Sequence, residues 1–215
     1  MNNISRQDLE EKGKCPYNSF REFDRKLITV TSKSKIFDNY GITKLENPFI
    51  GYFFVDKEEG VCVRIIGNED NKDLIKELIT ENNVVINCEQ FDNLEFSLYE
   101  EDLETYDLEK QMDDYYDDQE LLELRNLTEI DSLRGIYYPD DVLLTIEFED
   151  GEDEYIWGKV DGYIAEVDKY VVYLLESSKF DFEITSGEYA ICKYIKQGKK
   201  EELIIQGILE RVEDE

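Results

Sequence analysis

Residues 142–160 read VLLTIEFEDGEDEYIWGKV. Apolar and polar side chains alternate on both sides of a central Asp150-Gly151. Alternation with a period of two is the signature of a half-buried strand, and Asp-Gly between two such runs is a strong hairpin signal. The stretch predicts two antiparallel strands, 142–148 and 155–160. Working towards the C-terminus, similar runs follow at 163–167, 170–175, 180–185 and 188–195, with turn residues at Asp161-Gly162, Ser186-Gly187 and Gln197-Gly198-Lys199. Residues 203–212 fit a last strand or a short helix. Strands every eight to twelve residues predict an antiparallel β-meander, curled or closed into a small barrel.

Working towards the N-terminus, residues 126–135 form a boundary that ends at Arg134-Gly135. Before it, 99–125 reads as a helix. Leu108, Met112, Tyr115, Gln119 and Leu122 follow a 4-3-4-3 spacing that puts them on one face. Further upstream, strands are expected at 27–31, 49–55, 61–66 and 84–88. The middle pair is joined through Asp56-Lys57-Glu58-Glu59-Gly60. Leu74, Ile75, Leu78 and Ile79 mark an amphipathic helix between the last two strands. Ser5 and Asp8 mark a short N-terminal helix. The expectation is therefore an α+β protein: an N-terminal ββαβ-like unit ending in an acidic central helix (1–125), then a C-terminal antiparallel β-meander or small barrel (135–215). The two could also pack as one globule.

Charge narrows the function. The 215 residues carry 53 Asp and Glu against 24 Lys and Arg, with no His, for a formal net charge of -29. Direct nucleic-acid binding is disfavoured, because phosphate contacts need clustered bases. Any role for a His base or His metal ligand is excluded. The 41% hydrophobic and 13% aromatic content argues against wholesale disorder. The acid excess is concentrated: residues 99–154 hold 22 acids and three bases. No apolar leader opens the chain, and no run reaches the ~20 apolar residues of a membrane span. A cytoplasmic protein with reduced thiols is expected. Cys15, Cys62, Cys88 and Cys192 form no paired zinc spacing and read as free thiols.

Catalytic patterns fail one by one. There is no G-x-G-x-x-G, Walker or G-x-S-x-G motif. Pro139-Asp140-Asp141 has the look of the first acid of a metal-dependent nuclease. The acid expected two residues before Lys159 is replaced by Trp157, so the segment reads as a strand-initiating turn. Glu10-Glu11-Lys12 has that spacing without a strand. Asp150-Gly151 and Asp161-Gly162 lack the alternating acids of a calcium loop. No cofactor and no metal are expected.

The acidic helix is the leading candidate site. Glu100, Glu101, Asp102, Glu104, Asp107, Glu109, Asp113, Asp114, Asp117, Asp118 and Glu120 are interrupted by a single base, Lys110. Like charges four apart destabilise a helix, so the run invites a functional account. Two acids per turn approach the charge density of duplex DNA, roughly one per 1.7 Å. Such a surface would occupy the groove of a basic nucleic-acid-binding or nucleic-acid-cleaving protein, with Tyr115 and Tyr116 as anchors. The plain alternative is a solvated helix face. The expected function is a non-catalytic inhibitor that mimics nucleic acid, of the kind phages use against host defence. The partner would be a nucleic-acid-processing enzyme or toxin, with no membrane and no direct nucleic acid. The alternative is an immunity or adaptor protein that binds through its aromatic β surface, with Tyr155 and Trp157 prominent.

Overall fold

A computed structural model describes residues 20–32, 48–67, 85–87, 91, 94–100, 119–148 and 153–209. They fall into two compact units, one within Phe20–Asp117 and one within Asp118–Glu215. The described chain is mostly β. Its helical elements are α1 (Gln119–Arg125) and two 3-10 turns, Arg21–Phe23 and Thr128–Leu133.

The first unit is a five-stranded antiparallel sheet. Its strands are β1 (Lys26–Ser32), β2 (Phe49–Asp56), β3 (Gly60–Gly67), β4 (Val85–Asn87) and β5 (Leu94–Leu98), in the order β4-β3-β2-β1-β5. From Phe49 to Val55 and from Gly60 to Gly67 every residue is buried. Strands buried along their whole length, apolar but for Arg64 in β3, belong at the centre of a sheet covered on both faces. Ile50, Tyr52 and Phe54 pack with Leu27, Cys62 and Ile66 on one face. Phe53 points to the other, where Phe20, Phe23, Phe91 and Phe96 lie with ring centroids 5.8–6.3 Å from its own. The β2–β3 loop follows its sequence: Asp56 Oδ1 accepts the backbone N–H groups of Glu58 and Glu59 at 2.8 and 2.9 Å. Gly60 then turns at φ +73°, a conformation that suits a residue without Cβ.

The second unit is a closed five-stranded barrel of β6 (Asp141–Ile146), β7 (Glu154–Ile164), β8 (Lys169–Leu174), β9 (Tyr189–Gln197) and β10 (Lys200–Leu209). Sequential strands pair antiparallel, and β10 closes on β6 in parallel at Ile204–Thr145. Alternation places Ile156, Val160, Tyr170, Val172, Leu174, Ala190 and Cys192 inside. Ile130 and Leu133 of the second 3-10 turn join them, with Leu124 and Leu127 alongside. The barrel interior is tight. A Cβ on Gly158 would meet Val172 Cγ1 at 2.5 Å and Leu144 Cδ1 at 2.8 Å.

The small barrel expected from the C-terminal pattern is what forms, and residues 203–209 are strand rather than helix. Three details differ. Asp161-Gly162 does not turn. Both residues lie within β7, where the register shifts between Val160 and Gly162. A glycine in a strand can mark a bulge as readily as a turn. The separate strand expected at 163–167 is the end of β7 followed by a turn at 165–168, with Asp168 at φ +54°. Residues 180–185 are no strand, although their apolar positions alternate. Only Ile184 of the three is buried, and side chains of the segment hold its backbone in a loop. In the N-terminal unit, β5 is an addition that the sequence reading missed, although Leu94, Phe96 and Leu98 alternate with Glu95 and Ser97 as a half-buried strand does. The helices expected around 5–12 and 71–81, and residues 101–118 of the helix expected over 99–125, lie outside the described residues. Of that expected helix, Tyr99 and Glu100 are not helical, the Tyr99 N–H donating to the Leu27 carbonyl, and Gln119–Arg125 form α1.

Candidate functional site

Most of the expected acidic site lies outside the described residues: Glu101, Asp102, Glu104, Asp107, Glu109, Asp113, Asp114, Tyr115, Tyr116, Asp117 and Asp118. The two described members are exposed. Glu100 follows β5 in the first unit, and Glu120 sits in the first turn of α1 in the second.

The described part of the block shows what becomes of its bases. Arg125 donates from Nε and Nη2 to both carboxylate oxygens of Asp140, at 2.8 and 2.7 Å. Their side chains are 7% and 6% exposed. Arg134 Nε meets Asp131 Oδ1 at 3.1 Å. Its Nη2 donates to the Leu124 carbonyl at 2.7 Å and its Nη1 to the Pro139 carbonyl at 2.5 Å. Arg134 thus adds a side-chain donor to a carbonyl of the last turn of α1, which also accepts the Leu127 N–H at 3.3 Å. Both arginines are buried. Lysines of the β9–β10 hairpin have acidic partners of their own: Lys196 meets Glu201 at 2.5 Å and Lys200 meets Glu202 at 2.9 Å.

Asp141, at the start of β6, is the described carboxylate with the most displaced titration. Burial raises its pKa to about 6, against an opposing pull from Lys159 4.0 Å away. Tyr170 donates to Glu129 at 2.5 Å, and burial together with that bond pushes its phenol above the ordinary range. Asp141 lies on β6 and Tyr170 on β8 of the barrel. Among the described residues no group of three or more Cys, Asp or Glu side chains is arranged to hold a metal ion. None of their helices is long and apolar enough to cross a membrane.

The aromatic β residues separate by face. Tyr170 is buried, with Tyr163 against it at 5.0 Å. Tyr155, Trp157, Tyr173 and Tyr189 lie on the outer side of β7, β8 and β9. Tyr173 and Tyr189 are cross-strand partners with rings edge-on at 5.3 Å. Trp157 is half-buried, so it anchors this face less openly than its size suggested.

Among the described residues the most exposed aromatics are in the loop between β8 and β9. Phe180 is 72% and Phe182 is 90% exposed. The loop carrying them is tied down. Ser178 Oγ donates to buried Glu154 at 2.5 Å and accepts the N–H groups of Phe180 and Asp181. Lys179 N–H donates to the same Glu154 carboxylate, and Ser178 N–H donates to the Ile184 carbonyl at 2.9 Å. Side-chain bonds of this kind compete with a strand ladder. The sequence showed Ser177-Ser178 and Asp181 beside the aromatics, and that is the signal by which the loop could have been found. Comparison of the chain with protein-family models, with curated proteins and with solved structures finds no match.

Proposed function

We propose that the chain is a non-catalytic acidic inhibitor. Its partner is a basic protein that binds or cleaves nucleic acid, and residues 99–123 occupy that partner's positive channel. One observation carries the reading. Residues 99–154 contain 22 acids and three bases, and two of those bases, Arg125 and Arg134, are buried in pairs with Asp140 and Asp131. With those two pairs set aside, the block holds 20 acids and one base, Lys110. A concentrated negative field steers a basic protein to the surface and is weakened by salt.

The test is an affinity pull-down from lysate, eluted with a salt gradient. A basic nucleic-acid enzyme that is displaced by added DNA or RNA, with affinity falling at least tenfold between 50 and 500 mM salt, supports the reading. Binding indifferent to salt refutes it. Changing Asp113, Asp114, Asp117 and Asp118 together to Lys should abolish inhibition while leaving the fold intact.

A second reading, an immunity or adaptor protein binding through the aromatic β surface, is favoured by the outer row of Tyr155, Trp157, Tyr173 and Tyr189. It expects Trp157→Ala or Tyr155→Ala to weaken the complex and the four acidic changes to leave it alone.

A further inference from the structure

We propose that the seam between β6 and β10 is a docking groove for an extended, lysine- or arginine-bearing segment of the partner, taken up by strand addition to β10. The inference rests on the basic-partner reading and adds where and how that partner is gripped.

The barrel closes thinly. β10 pairs with β9 along its whole length but with β6 only at Ile204–Thr145. Among the described residues no strand pairs with the outer edge of Gly207, Ile208 and Leu209. An open edge of this kind is a template for an added strand. Here it borders a groove of about 640 Å³. Ile146, Ile184, Ile205 and Ile208 supply apolar lining, and Glu147, Glu183 and Glu188 supply carboxylates. Among the described residues that line it there is no Lys or Arg, and Lys196 and Lys200 sit at the hairpin end of β9 and β10.

An occupant must therefore combine three properties: an extended backbone, apolar side chains on one face and positive charge. From Ile205 to Leu209 the edge offers roughly 16 Å, a strand of about five residues at ~3.3 Å each. Phe180 and Phe182 stand beside the groove on the tied loop, with Phe180 edge-on to Phe148 at 6.0 Å. Because Glu154 and Ser178 already order that loop, little entropy is lost when it closes on a ligand.

The test titrates the full-length ¹⁵N-labelled chain with the synthetic peptide Ac-KVKVKVK-amide and reads backbone chemical shifts. Two further peptides carry N-methyl groups on all valines or on all lysines, which keeps the charge but removes donors from one edge. Shifts concentrated at Gly207–Leu209 and 180–184, and at least tenfold weaker binding by one methylated peptide, are expected. Gly207→Lys and Glu183→Lys should each weaken binding at least tenfold. A Cβ at Gly207 meets nothing within 4 Å, and Glu183 is exposed, so neither change threatens the fold. Equal binding of all three peptides, shifts confined to residues outside the groove, or no binding at 50 mM salt overturns the groove. The basic-partner reading fails separately, in the lysate pull-down, and survives there if only the groove is wrong.

Discussion

The Arg125 guanidinium meets the Asp140 carboxylate side-on, with both charged bonds under 3 Å and both side chains buried. The bond ties the last turn of α1 to the residue that precedes β6. Breaking a buried pair leaves one charge uncompensated, which costs more than the pair contributes. Arg125→Met should destabilise the barrel unit by about 3–5 kcal/mol in urea unfolding. Arg125→Met with Asp140→Leu should recover most of the loss. A double variant no better than the single one would show that the pair is needed for more than mutual neutralisation.

Asp141 sets a pH dependence of definite sign. Its folded pKa of about 6 lies above the ordinary 3.8, mainly through burial. Protonated Asp141 therefore favours the folded state. That contribution is complete below about pH 4 and is lost as the pH rises through about 6. Asp141→Asn, which cannot ionise, should stabilise the protein by roughly 1–3 kcal/mol at pH 7 and by nothing measurable at pH 4. Thermal melts at the two pH values check this.

Gly158 tests the packing of the barrel interior. A methyl group there collides with Val172 and Leu144. Gly158→Ala should cost about 1–3 kcal/mol by overpacking, a loss that Gly158→Ala with Val172→Ala relieves. Denaturant midpoints of the single and double variants separate this clash from a general intolerance of β7 to substitution.

The thiols offer a direct probe of the two cores. Cys62 and Cys192 are buried, and burial pushes the Cys192 thiol up to about 12. Only a thiolate alkylates readily. Both residues should resist iodoacetamide at pH 8 in the native protein and react fully in urea, as read by peptide mass mapping. Protection of one and not the other would show one unit opening independently.

By itself the sequence determined the features that depend on neighbours a few residues apart. Alternation over 142–148 and 155–160 became β6 and β7, the apolar runs around Asp56-Gly60 became β2 and β3, and the acid excess was plain from counting. The tertiary structure decided whatever depends on a partner distant in the chain. Asp161-Gly162 has the chemistry of a turn, but β8 pairs on both sides of it, so the extra residue is absorbed as a bulge. Residues 180–185 have the alternation of a strand, yet Glu154, some twenty-five residues earlier, binds Ser178 and Lys179 and helps hold the segment as a loop with Phe182 in solvent. The groove beside β10 exists only because a parallel contact at Ile204–Thr145 closes the barrel and then lets the strands part. A period of two tells which side chains can share a face. It does not tell which backbone edge will find a partner, because that depends on hydrogen bonds between residues that only the fold brings together.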